Sequence, residues 1–234
     1  MSNRKRERTG TTSKGTRSNR QTLNEELKTR SAGQTEYIRT MVENTITFGI
    51  GPAGSGKSYC ALGLAAQYLN EGKVQRIIVT RPHVEAAPKS LGALPGGIDE
   101  KVAPYLVPAV EHLKLFLGVD RYYNLRDKGE IVIEPLEFMR GRTFKHTFIV
   151  GEEFQNATTE QIKMFMTRIG DGSKMVIDGD IEQTDMKKTN SQFSTDLEFA
   201  IYKVKDIEGI GLYELQECDI VRHPLIGKIV KAFR

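Results

Sequence analysis

GPAGSGKS, residues 51–58, decides the fold of this 234-residue chain. It matches the phosphate-binding pattern G-x-x-x-x-G-K-[ST] without a gap, and each residue type has a physical task. Gly51 and Gly56 let the backbone bend until its N–H groups face inward as an anion-binding nest. Lys57 is long enough to reach β- and γ-phosphates, and the Ser58 hydroxyl suits Mg²⁺. The flanks agree with this reading. Residues 46–50, ITFGI, read as a buried strand, and 58–70, rich in Ala and Leu, as a helix. The helix N-terminus adds partial positive charge under the phosphates. The expected nucleotide-binding set is Gly51, Pro52, Ala53, Gly54, Ser55, Gly56, Lys57, Ser58 and Tyr59.

Outward from the loop, short apolar runs alternate with helical stretches. Residues 76–80, 148–150 and 174–177 read as parallel core strands, 129–134 as a strand or hairpin segment and 212–216 as a last strand. Helical spacing marks 22–42, with Gly33 as an interruption, then 107–117, 160–169, 196–204 and 224–233. Residues 81–108, rich in Pro and Gly, read as a long loop with short helical pieces. This alternation predicts an α/β fold, a mostly parallel sheet with helices on both faces and ligands at the carboxyl ends of its strands.

Chemistry-bearing residues follow the apolar runs directly. Glu152 and Glu153 come after 148–151, where one carboxylate is expected in the Mg²⁺ shell (Glu152) and one on the attacking water (Glu153). The bland alternative is a solvated loop. Asp178-Gly179-Asp180 leads to Gln183, whose amide suits sensing a γ-phosphate; turn chemistry around Gly179 is the alternative for the two acids. Arg222 stands at a loop–helix junction, as a finger for a neighbouring subunit's nucleotide or as a surface ion pair. Arg81, Arg140 and Arg142 lie on loops beside core strands and suit nucleic-acid contacts. His83, His112, His146 and His223 show no metal-ligand spacing.

Composition narrows the class. An apolar fraction of 38% is enough for a core, and no apolar run is long enough to span a bilayer. The N-terminus is too polar for a secretory signal. Cys60 and Cys218, far apart and outside any C-x-x-C pattern, read as reduced thiols of a cytoplasmic protein. The net charge of +4 is concentrated in residues 1–20, where Arg4, Lys5, Arg6, Arg8, Lys14, Arg17 and Arg20 face only Glu7. That stretch reads as a basic, disordered tail suited to phosphate backbones, ahead of a single domain over 21–234.

These residues together resemble the PhoH-like family of ATPases, from about Gly33 to Phe233. The likeness is carried by VTRPHVEA (79–86), PLEFMRGRTF (135–144), TTEQIKMFMTRIGDGSKMVIDGD (158–180), KDIEGI (205–210) and VRHPLIGKIV (221–230). Gln34, ahead of the phosphate loop, is similar to the adenine-reading Gln of superfamily 1 helicases. The resemblance implies a RecA-like core, ATP with Mg²⁺, a link to single-stranded RNA, and a homo-oligomeric, hexameric ring. It also implies a short, core-only form, without the nuclease or KH-type domains of some members. The chain departs from the family in two places. Glu152 stands where the family's L-D-E-A-Q-N has Asp, and Asp178 replaces a Thr. One more methylene at Glu152 is expected to displace the Mg²⁺ shell and slow turnover, and Asp178 adds negative charge near the γ-phosphate.

The leading expectation is an ATPase coupled to single-stranded RNA, an RNA helicase or translocase without membrane association. An ATP-dependent RNA-binding switch that unwinds nothing is the alternative. A small-molecule kinase is a weaker third, because Gln34 and the G-D-x-x-Q segment do not serve transfer to a small acceptor.

Overall fold

A computed structural model describes residues 25–82, 98–182 and 193–221, with backbone alone for 98–105. The basic tail, Gln183, Arg222 and the helix expected at 224–233 lie outside the described residues.

Among the described residues, six strands form one sheet: β1 (Ile46–Ile50), β2 (Arg76–Arg81), β3 (Ile131–Pro135), β4 (Thr147–Gly151), β5 (Lys174–Gly179) and β6 (Ile210–Glu214). Every pairing is parallel and the order is β3-β2-β4-β5-β1-β6. β5 stands between the phosphate-loop strand β1 and the carboxylate-bearing β4, the arrangement of a RecA-like P-loop core. Parallel strands need crossovers, and helices supply them on both faces.

Side chains alternate along each strand and so feed two cores. Ile77, Val79, Phe148, Val150 and Val176 pack under α1 (Ala32–Glu43), α2 (Lys57–Asn70), α3 (Ile98–Leu117) and α4 (Val119–Asp127). Phe48, Ile78, Ile149, Met175 and Ile177 pack on the other face, under α5 (Thr159–Met166) and α6 (Asp196–Val204). Register aligns the strand ends, with Ile50 beside Gly179 and Glu214, and Thr80 beside Gly151. The loops that follow them therefore emerge on one edge.

The structure corrects several expectations. α1 starts at Ala32, capped by the Ser31 side chain, so Gly33 lies in its first turn and interrupts nothing. A Cβ there would sit 2.3 Å from the Asp219 carboxylate oxygens, which is why Gly is needed. Of the loop expected over 81–108, residues 83–97 lie outside the described residues, and from Ile98 it gives way to α3, which runs through Pro104 and Pro108. Leu106, Ala109, Leu113, Phe116 and Leu117 are buried at helical spacing, and that packing outweighs the backbone bonds the prolines remove. α4 follows after Gly118, whose φ of 80° makes the turn. β6 starts two residues earlier than the apolar run suggests, at Ile210.

Candidate nucleotide site

The chain leaves β1 at Gly51 (φ 146°) and turns at Gly54 (φ 89°) and Gly56 (φ 90°), values that strain any residue with a Cβ. Space is as restrictive as torsion: a Cβ would lie 2.5 Å from the Leu215 carbonyl oxygen at Gly51, and 2.5 Å from Gln34 Nε2 at Gly56. The loop is held at its tip, where the Ala53 N–H donates to Asp180 Oδ2 (3.1 Å) and the Val221 N–H donates to the Gly54 carbonyl (3.1 Å). Gly56 caps α2 without a side-chain acceptor, which leaves the first-turn amides to an anion. Lys57 Nζ crosses the loop to donate to the Gly51 (2.5 Å) and Pro52 (3.0 Å) carbonyls.

β4 delivers the two carboxylates. The Glu152 N–H donates to the Thr80 carbonyl at 2.9 Å, fixing the residue between two strand ends. Its carboxylate is buried, and burial pushes its pKa up, while the Ser58 hydroxyl and the nearby Arg81 guanidinium pull it down. The two residues expected to hold Mg²⁺, Ser58 and Glu152, thus meet. Glu152 Oε1 has no hydrogen-bond partner among the described residues. A buried, unpartnered carboxylate oxygen beside a hydroxyl fits a hard cation that takes its other ligands from phosphate and water. Glu153 occupies the left-handed region (φ 56°), uncommon without a functional constraint. Its Oε2 accepts from Gln155 Nε2 at 2.7 Å, and Gln155 Oε1 accepts from the Asp180 N–H at 3.1 Å. Gln155 therefore links the carboxylate meant for the water to the residue that holds the loop tip.

A pocket of about 510 Å³ opens beside the loop, lined among others by Arg30, Gln34, Lys57, Tyr59, His112 and Glu153. Gln34 is 2% exposed; its Nε2 donates to the Ser55 carbonyl (2.9 Å) and its Oε1 accepts from the Arg30 N–H (2.8 Å). A carboxamide has two N–H groups and two lone pairs, so one of each remains. That remainder is the pair an adenine N7/N6 edge takes from Gln. Tyr59 packs on Phe116 (ring centroids 5.1 Å) and edge-on to His112 (6.0 Å), with the Arg30 guanidinium 5.9 Å from its ring centroid. Burial lowers the His112 pKa and keeps the imidazole neutral.

Two buried acids support the site from behind. Asp178 accepts from the Tyr37 hydroxyl, opposite Gly49 of β1, where a Cβ would come within 2.1 Å of that hydroxyl. Burial pushes Asp178 up to about 7 against the Tyr37 bond and the Lys57 charge. The same burial, with the Asp178 charge, pushes the Cys60 thiol up to about 12. Asp219 is buried too, but hydrogen bonds from the Ser31 side chain and the Gln216 and Gly33 backbone outweigh that burial and hold its pKa down. Through Ser31 and Gly33 it fixes the turn that presents Gln34.

The arginines divide. Arg81 stands by Glu152 inside the site. Arg142 pairs with Glu134 and lies 4.7 Å over the Phe144 ring. Arg140 is exposed. Sequence reasoning missed Gln155, Tyr37 and Asp219. Only Gln155 carried a signal, as a carboxamide two residues beyond the paired carboxylates. Cys60 and Cys218 are both free thiols. No helix among the described residues is long and apolar enough to cross a membrane.

The family model described as PhoH-like protein matches residues 26–234. A PhoH-like protein of Bacillus subtilis is 45% identical over 207 residues, covering 88% of this chain and 64% of that protein. One from Synechocystis sp. is 43% identical, covering 88% and 62%, and Protein PhoH of Escherichia coli K12 is 35% identical, covering 87% and 57%. The chain thus spans less than two thirds of the length of these relatives. Among solved structures, Pif1 helicase from Candida albicans aligns at 18% identity with a TM-score of 0.40, over 80% of this chain and 40% of that one.

Proposed function

This chain belongs to the PhoH-like protein family, and from that premise we propose that it is an ATPase that couples hydrolysis to single-stranded RNA as a homo-oligomeric ring. The observation that carries the ATPase reading is the meeting of Ser58 with the buried Glu152, its Oε1 unpartnered, beside Lys57. When bound there, Mg²⁺ would neutralise charge on the β- and γ-phosphates. Lys57 exchanges its two loop carbonyls for phosphate oxygens. The loop and first-turn amides of α2 take the remaining phosphate charge. Glu153, oriented by Gln155, accepts the proton of the attacking water. Gln34 reads the base with its uncommitted N–H and lone pair. Gln183 senses the γ-phosphate and Arg222 completes a neighbour's site.

Steady-state ATP turnover with and without single-stranded RNA, at several salt concentrations, tests this reading. Absence of turnover with Mg²⁺ would sink it. The ring is tested by mixing Arg222→Ala with Glu153→Gln subunits, since a mixed interface can pair an intact Glu153 with a neighbour's intact Arg222. No rescue in demonstrably mixed assemblies overturns the trans role.

One observation favours the alternative, an ATP-dependent RNA-binding switch. Asp178 places a buried acid within electrostatic reach of Lys57, where negative charge opposes that of a γ-phosphate. Unwinding of an RNA duplex with ATP, but not with a non-hydrolysable analogue, excludes the switch.

A further inference from the structure

Phe193, Phe199 and Tyr202 belong to neither core. Their rings gather at the outer side of α6, with Phe193 centred 5.4 Å from Phe199 and 5.4 Å from Tyr202. Lysines sit on them: Lys203 Nζ is 5.2 Å from the Phe199 centroid and Lys205 Nζ 5.3 Å from that of Tyr202. Tyr202 is 55% exposed, among the most exposed large apolar side chains described. Of the nearby carboxylates, Glu198 is turned back to accept from the Ser194 N–H (2.7 Å) and hydroxyl (2.5 Å), while Asp206, next to Lys205, is exposed.

Tyr202 is exposed and Phe193 and Phe199 are half-buried, and the three rings hold together through edge and tilted contacts. A protein interface of this size would be depleted of lysine at its centre. A single-stranded nucleic acid asks for the opposite combination, flat apolar faces for bases and ammonium groups within reach of phosphates. Two of the three arginines first suited to that role are engaged elsewhere, Arg81 beside Glu152 and Arg142 with Glu134, while Arg140 is exposed. We propose that Phe193, Phe199 and Tyr202, with Lys203 and Lys205, form a stacking site for single-stranded RNA. This rests on the RNA-coupled reading above and names the surface that would carry it.

The site is also mechanically connected to the nucleotide pocket. α6 begins at Asp196, whose Oδ2 accepts from the Thr159 N–H at 2.9 Å. Leu197 fills the space above Gly179, where a Cβ would meet it at 2.3 Å. Gly179 precedes Asp180, which bonds to both Gln155 and the phosphate-loop tip. α6 therefore packs directly on the end of β5, whose next residue, Asp180, is linked through Gln155 to Glu153.

The test measures binding of a fluorescent oligouridylate to the full chain at several salt concentrations, alongside ATP turnover without RNA and mass in solution. Tyr202→Ala should weaken binding roughly tenfold with little change in salt slope, because stacking is lost and charge is not. Tyr202→Trp should retain affinity. Lys203→Ala with Lys205→Ala should lower the salt slope by about 1.4, two phosphate contacts on a single strand. All three should keep RNA-free turnover and mass. If the wild type binds the strand and the variants bind it equally well, the stacking site is wrong and the RNA reading survives. If the variants lose oligomeric mass while their affinity is unchanged, the patch is an interface between copies and the proposal falls. If the wild type hydrolyses ATP but binds no strand, the RNA reading itself falls and takes this site with it.

Discussion

At the phosphate end of the pocket stand Lys57, Ser58, Glu152 and Glu153, each within a few residues of the strand that delivers it. At the base end stand Arg30, Gln34, Tyr59 and His112, carried by α1, α2, α3 and the segment before them. The first group works through charge, and burial raises the pKa of Glu152. The second offers a carboxamide, a phenol ring and an imidazole whose pKa burial lowers. In the proposed reading, phosphate chemistry is a property of short segments at strand ends, whereas base recognition is a property of how helices pack.

The contrast breaks first at the carboxylates. Lys57→Ala should abolish turnover and weaken ATP binding. Glu153→Gln should bind ATP normally and lose about 10²–10⁴ in kcat, the usual scale for removing a positioned base. Nucleotide binding by fluorescence and single-turnover rates separate the two effects. If Glu152→Gln loses more turnover while Glu153→Gln is near wild type, the metal and water roles are reversed.

Asp178 sharpens the electrostatic side. Its ordinary value is 3.8 and burial raises it to about 7, so the folded chain holds a proton that the unfolded chain releases across that window. Stability therefore falls as pH rises from about 4 to 7, and above it the buried charge costs on the order of 4 kcal/mol. Asp178→Asn keeps an acceptor for Tyr37 and removes the charge. It should raise Tm at pH 8 and leave it nearly unchanged at pH 5. An equal shift at both pH values would mean that Asp178 is held ionised throughout, with Lys57 its full counter-ion.

This contrast also explains what the sequence disclosed. GPAGSGKS and the Glu152–Glu153 pair were legible because a phosphate loop and a strand-end carboxylate are local chemistry. So was the parallel sheet, since its four central strands are largely apolar runs buried on both faces. The 98–117 helix was obscured by Pro104 and Pro108, whose local cost is overcome by packing against α2, α4 and β3. Gly33 looked like a breaker because its reason, the Asp219 carboxylate, lies far away in the chain. Tyr37, Gly49 and Asp178 form one cluster from three elements, and no spacing rule joins them.

At the base end, Gln34→Ala should cost about tenfold in kcat/KM for ATP, on the scale of a hydrogen bond lost in a buried site. Inhibition by inorganic tripolyphosphate should be unchanged, since the phosphate end is untouched. Asp219→Asn should move base selectivity the same way but less, because the amide keeps one acceptor for the turn at Ser31 and Gly33. A parallel loss of tripolyphosphate affinity in either variant would show that the two ends are not separable.

The smallest effect belongs to Tyr59→Phe. The hydroxyl lies 3.5 Å from the Lys28 N–H nitrogen and 3.4 Å from its carbonyl oxygen, at the limit of hydrogen bonding and on an exposed side. The ring, by contrast, is wedged against Phe116 and His112 and forms the pocket wall. Removing the oxygen should therefore change KM for ATP by less than about twofold, as expected for a weak bond exchanged for one with water. Tyr59→Ala, which removes the wall, should raise KM several-fold while leaving kcat near wild type, because ground and transition states lose the same contact. A Phe variant as damaged as the Ala variant would show that the phenol reads the base directly. The base end would then recognise through polar groups on every side, and the division of labour between the two ends would need to be redrawn.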